Sequence, residues 1–369
     1  MSHQKILESK PYYDVLDGLR GTAAIVILVF HYLEMIYPEE YSENFMGHGF
    51  LAVDFFFCLS GFVTGFAYDN RIKTIGIKSF FVNRLIRLHP LVVLGSIIGF
   101  AGFVLNPFVD GIREAGWGNL LPALACSMLL IPAPFLPLRG GGLFPYNTPS
   151  WSLFLEYIAN VVYALVLCRI KKPALPVLGC ICAVWLMYTS CKAGWLINGW
   201  DIKTIGDGFP RVGYSFTAGL LIFRYRLILR NRMGFVLPFI LLMSVFMYPH
   251  VNNDWFTEAL MVIAVFPLII SIGAGADATG RMKKFCIFIG KLSYPLYMTH
   301  ITTVWIFGDY YCKAKPQGME LVGLVACLCL FNLVFAYAVM RLYDEPVRAW
   351  LTQKANRLKT LRNSLNKQR

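Results

Sequence analysis

Charge is scarce in this sequence: 15% of its 369 residues are Asp, Glu, Lys or Arg, and 57% are hydrophobic. A soluble domain is roughly a quarter charged, so a water-soluble enzyme or binding module is excluded. The ten cysteines contain no CxxC pair, and Cys58, Cys126, Cys168, Cys327 and Cys329 lie inside apolar runs. That pattern supports neither a disulfide framework nor a zinc site, with only Cys191 and Cys312 expected near an outer surface. No GK[ST] follows Arg139-Gly140-Gly141-Gly142, which therefore reads as a loop rather than a phosphate cradle. No cleavable leader is expected, because the first 15 residues are polar and the first apolar run is long enough to span. No internal repeat is visible, which weakens a transporter reading.

What the sequence has in quantity is long apolar runs approaching the ~20 residues that cross a bilayer. Candidate spans are 20–37, 48–68, 90–106, 151–168, 174–191, 210–223, 233–249, 257–274, 285–307 and 319–341, with an uncertain segment at 119–136. The net charge of +13 lies in short clusters between these runs, as topology signals do, rather than along a face that would bind nucleic acid. If 119–136 spans, the clusters Arg169/Lys171/Lys172, Arg224/Arg226/Arg230/Arg232 and Arg281/Lys283/Lys284 all fall outside. If it does not, they fall inside, together with Arg71, Lys73, Lys78, Arg84, Arg87 and the tail from Arg341. Pro122, Pro132 and Pro134 suit a re-entrant or interfacial piece. The loop 38–47 agrees, with Glu39, Glu40 and Glu43 and no Lys or Arg. The expected fold is an all-α polytopic bundle of ten spans with both termini cytoplasmic. It forms one transmembrane domain over 1–350, followed by a basic cytoplasmic tail at 351–369.

The stretch Asp17 to Tyr32, DGLRGTAAIVILVFHY, organises the chain: Arg20 and His31 are eleven positions apart, about 16 Å along a helix and nearly in line around it. In the ten-span topology His31, Asp54, Glu156 and His300 fall about 7–10 Å below the outer surface on four different helices. Ionisable groups within a membrane are costly and mark functional sites, so one polar pocket with an imidazole–carboxylate pair is expected. A carboxylate on one ring nitrogen fixes the tautomer and raises the basicity of the other, as a general base requires. Depth and adjacency favour Asp54 as the partner of His31, with Glu156 the alternative. Trp151 is a candidate for sugar stacking. Tyr297 shares a helical face with His300 at i, i+3.

The stretches LDGLRGTAAIVILVFHY at 16–32, GFLAVDFFFCLSGFV at 49–63, FFVNRLIRLHPL at 80–91, PSWSLFLEY at 149–157, IGKLSYPLYMTH at 289–300 and YDEPVRAW at 343–350 together resemble the acyltransferase-3 family of membrane O-acyltransferases. The Arg, ten residues, His spacing of Arg20 and His31 is the most specific element. Where many members read WSLSVEE this chain reads WSLFLEY, so only the Glu156 carboxylate carries over. The resemblance implies that His31 is catalytic and that arginines near the cytoplasmic side serve an acyl-CoA donor, usually acetyl-CoA. Arg20, Arg84, Arg87 and Arg224 are the candidates for holding its phosphates, because the guanidinium fork binds phosphate bidentately. His31 would deprotonate an acceptor hydroxyl on a glycan or a small hydroxylated molecule, without metal or redox chemistry. No fused extracytoplasmic esterase-like domain is expected within these residues, and the implied location is the bacterial cytoplasmic membrane. A lipid-glycan flippase using the same intramembrane charges is the rival reading.

Overall fold

A computed structural model describes residues 13–38, 42–133 and 141–367. Glu39, Glu40, Pro134, Arg139 and Gly140, named above, lie outside the described residues. The described chain is helical throughout, with no β-strand: α1 (Asp14–Ile36), α2 (Ala52–Tyr68), α3 (Ile72–Val104), α4 (Gly111–Ala115), α5 (Trp117–Met128), α6 (Ser150–Val162), α7 (Ala174–Ala193), α8 (Ile205–Tyr225), α9 (Val236–Phe246), α10 (Trp255–Leu260), α11 (Phe266–Ala274), α12 (Gly280–Thr299), α13 (Ile301–Ala314), α14 (Gly318–Val339) and α15 (Glu345–Lys367). Five-residue π segments join α10 to α11 and α14 to α15, so each pair runs on as one rod.

Seven of these rods are long and apolar enough to cross a membrane: Asp14–Ile36, Gly49–Tyr68, Ile72–Val104, Ser150–Leu167, Ala174–Ala193, Trp255–Ala274 and Gly318–Leu361. The chain is therefore a multi-pass membrane protein. The three further runs read as spans correspond to α8, to the 11-residue α9 and to α12 with α13, which meet at His300. The 119–136 segment overlaps the 12-residue α5 (Trp117–Met128), about 18 Å long and short of a ~30 Å hydrocarbon core. The helix α15 runs through residue 350, and Thr352 lines the same cavity as residues of α1 and α2.

Lipid contact explains the apolar side chains left on the outside, such as Val184 and Tyr188 on α7 and Leu330 and Val334 on α14. Inside, backbones approach closely, and glycine permits it. A Cβ on Gly61 of α2 would lie 2.0 Å from the Phe216 carbonyl oxygen of α8, and one on Gly219 would lie 1.9 Å from that of Cys58. α1 and α12 meet the same way, with Gly18 and Gly21 facing Cys286 and Ile289, and Gly290 facing Asp17. The motifs singled out in the sequence are thus the contact stripes that bring α1, α2, α8 and α12 together.

Candidate active site

A cavity of about 900 Å³ opens between α1, α2, α3, α6, α12 and the start of α15. One end is rich in guanidinium groups: Arg20, Arg84, Arg87 and Arg348 all line it. Arg20 is held by three contacts, an ion pair to Asp17 at 2.8 Å and hydrogen bonds to Ser293 Oγ at 3.0 Å and the Gly290 carbonyl at 2.7 Å. Arg84 is buried, donates to Asn160 Oδ1 at 2.9 Å and to Thr64 Oγ1, and lies beside the rings of Tyr68 and Phe80. Neither Arg84 nor Arg87 has a carboxylate partner among the described residues. The carboxylates of Asp17, Glu156, Asp344 and Glu345 line the same cavity, and Arg20 and Arg348 are ion-paired to Asp17 and Asp344.

The other end of the cavity is lined by Phe56, Ser60, Ser152, Glu156 and Tyr297. Glu156 Oε1 accepts from Ser60 Oγ at 2.7 Å, and the Tyr297 hydroxyl lies 2.7 Å from Ser152 Oγ and 3.2 Å from the Pro149 carbonyl. Directly beyond Tyr297, whose ring centroid is 6.0 Å from that of His300, the rings of His300 and His31 stack at 5.4 Å and 23°. His31 Nδ1 lies 2.9 Å from Glu34 Oε2, one helical turn on. His300 Nδ1 lies 3.0 Å from the carbonyls of Leu296 and Tyr297, which accept its proton, and its Nε2 is buried with no hydrogen-bond partner. In both rings a donating Nδ1–H leaves Nε2 with its lone pair. Behind them Asn332 of α14 ties Tyr32 to Thr303 through hydrogen bonds of 2.8–3.0 Å, which fixes α1 against α13.

Three sequence expectations change. Asp54 does not partner His31: it is fully buried and bound to Arg211 of α8, with Nε at 3.1 and 3.2 Å from its two oxygens and Nη2 at 2.5 Å. Depth and adjacency favour the Asp54–His31 pair, but neither fixes rotation, and a buried carboxylate is matched first by a guanidinium of similar burial. Arg224 does not line the cavity. It binds Asp69 at 2.7 and 2.8 Å and the Leu167 carbonyl at 2.7 Å, clamping α2, α8 and the end of the α6 rod. Trp151 has one face covered by the Arg211 guanidinium, 5.2 Å from its ring, and is only 7% exposed, so it has no free face for a sugar. Glu34 and Arg211 went unnamed in the sequence. Both carried a signal: Glu34 stands at i+3 from His31, and Arg211 is a lone cation at the start of an apolar run.

The family model described as an acyltransferase domain matches residues 13–341. An acyltransferase of Streptomyces mycarofaciens, MdmB, is 25% identical over 316 residues, 78% of either chain. A protein of the picA locus of Rhizobium radiobacter is 37% identical over 163 residues, 41% of this chain and 80% of that one. A proposed O-acetyltransferase of Staphylococcus aureus (strain COL) is 24% identical over 390 residues, 91% of this chain but 57% of that protein. No solved structure matches the chain.

Proposed function

The chain belongs to the acyltransferase-3 family of multi-pass membrane acyltransferases, and from that premise we propose that it transfers an acyl group, acetyl in the simplest case, from cytosolic acyl-CoA to a hydroxyl arriving from the outer side. One observation supports this most: a single cavity joins Arg20, Arg84, Arg87 and Arg348 to the Tyr297 layer that abuts the His31–His300 stack. CoA carries its negative charge on phosphates at one end and a thin, nearly neutral pantetheine arm at the other. The guanidiniums of Arg84 and Arg87, which have no carboxylate within ion-pair distance among the described residues, suit the phosphates, and the apolar lining from Val53, Phe56, Phe57 and Leu59 suits the arm.

In the proposed reaction the Glu34 carboxylate accepts the Nδ1 proton of His31 and sets its tautomer, leaving Nε2 as base. Nε2 takes the proton of the acceptor hydroxyl as its oxygen adds to the thioester carbonyl. Collapse of the adduct breaks the C–S bond, and the proton returns to the departing sulfur, so ester and free CoA form with no net proton change. His300 and Tyr297 position the acceptor beside the base, and Glu156, oriented by Ser60, holds a second hydroxyl. A glycan or a small hydroxylated molecule fits this geometry, in the cytoplasmic membrane of a bacterium. The test is free-thiol release from acetyl-CoA by purified protein across a panel of sugars and small alcohols, with the acylated product weighed by mass spectrometry. Acceptor-dependent thiol release supports the proposal, and release at background with every acceptor and acyl chain length counts against it.

A further inference from the structure

At the outer ends of α1, α9 and α10, away from the cavity, His48, His250, Asp254 and Glu258 form a second buried polar cluster. His48 Nε2, His250 Nε2 and Glu258 Oε1 lie within 4.8 Å of one another, and all three residues are buried. Glu258 Oε1 is 3.7 Å from His48 Nε2 and 3.6 Å from His250 Nε2, and Asp254 Oδ2 is 3.3 Å from His48 Nε2. Tetrahedral zinc at ~2.0–2.1 Å from each ligand separates its ligand atoms by about 3.3 Å. The two Glu258 distances, 3.6 and 3.7 Å, are within a few tenths of an ångström of that spacing and too long for hydrogen bonds.

The atoms that do not point inward are already committed. His48 Nδ1 lies 2.9 Å from the Tyr248 carbonyl, which accepts its proton and turns Nε2 toward the cluster. Glu258 Oε2 accepts the Leu196 N–H at 2.5 Å, and its Oε1 has no hydrogen-bond partner. Asp254 Oδ2, the oxygen that faces His48, also accepts the Val251 N–H at 3.2 Å. Outer hydrogen bonds of this kind orient metal ligands. The charge count points the same way. Among the described residues no Lys or Arg pairs with Asp254 or Glu258, and Arg211, whose field reaches Glu258, is spent on Asp54. Two carboxylates share a buried space, and one divalent cation neutralises them.

The geometry points to a divalent-metal site, of the zinc class, formed by His48, His250 and Glu258. Two imidazoles select a borderline cation over Mg²⁺ or Ca²⁺, which favour all-oxygen shells. Three protein ligands leave the fourth position of a tetrahedral shell open, with the Asp254 carboxylate standing beside His48. It ties the segment before α2 to the α9–α10 turn and, through Leu196, to the loop whose Asn198 carbonyl accepts from Arg211.

The test is metal analysis of the full-length, tag-free protein in detergent after extensive chelator dialysis, followed by titration with Zn²⁺ and with Co²⁺ as a spectroscopic probe. The expected result is about one tightly held Zn²⁺ per chain, with visible Co²⁺ bands of tetrahedral intensity. His48→Ala and Glu258→Gln should weaken binding more than ~100-fold, beyond the loss seen for an outer-shell partner. If a variant fails to fold, the parent protein alone decides. A parent that takes up no stoichiometric Zn²⁺ and gives no tetrahedral Co²⁺ spectrum overturns the site, and so do variants that fold and retain parental affinity.

Discussion

Replacing Asp54 by Asn keeps size and hydrogen-bonding shape while removing one charge from a pair that is 0–1% exposed at its side chains. Arg211 would then sit buried with its cation unmatched, held only by the Asn198 carbonyl and the face of Trp151. Removing one partner of a buried ion pair costs about 3–5 kcal/mol, a large share of a typical stability of ~5–15 kcal/mol. Equilibrium titration of the purified protein from mild into denaturing detergent reads this as an earlier midpoint. Replacing both partners by apolar residues, Asp54→Leu with Arg211→Met, removes the unmatched charge and should recover most of the loss, because apolar substitutes for a buried pair are often neutral. The contrary outcome is an Asp54→Asn protein of parental stability that has lost acyl transfer. That result would give the carboxylate a role in the chemistry and restore the pairing with His31 that depth and adjacency suggest.

Arg84→Ala should weaken CoA binding by about 1.5–3 kcal/mol, the worth of a charge-assisted hydrogen bond, whereas Arg224→Ala should leave affinity unchanged and lower stability, because Arg224 is clamped to Asp69; equilibrium binding of labelled CoA separates the two. Equal losses of CoA affinity would refute the exclusion of Arg224 from the donor site. Gly61→Ala forces a methyl group against the Phe216 carbonyl and should destabilise by at least the ~1–3 kcal/mol typical of overpacking. An unchanged detergent midpoint would contradict the close α2–α8 crossing.

The helices and the lipid-facing surface were legible in the sequence because apolar run length responds to one physical quantity, the thickness of the hydrocarbon core. The motif stretches at 49–63 and 289–300 were legible as motifs, while the close backbone approaches at Gly61 and Gly290 came from the fold. Partner choice was not. His31, Asp54, Glu156 and His300 share a depth, but the rotation of each helix decides which of them touch, and that depends on packing against all its neighbours at once. So His31 found Glu34 on its own helix and His300 across the bundle, Asp54 found Arg211, and Glu156 turned to Ser60. The second cluster escaped for the same reason. His48 and His250 are 202 residues apart and show no ligand spacing, and only the folding of α9 back toward the start of α2 joins them.

His31, oriented by Glu34, is the proposed base. Its most direct test compares acyl transfer and CoA binding in the parent, Glu34→Gln and His31→Ala. Removing a positioned base costs ~10²–10⁴ in rate, and the guanidinium cluster lies about 16 Å from His31 along α1. The account predicts that His31→Ala loses transfer by that factor with CoA affinity nearly intact, and that Glu34→Gln loses less, because the imidazole remains and only its orientation is relaxed. A folded His31→Ala protein that binds CoA and transfers at the parental rate would contradict the account and pass the role of base to His300.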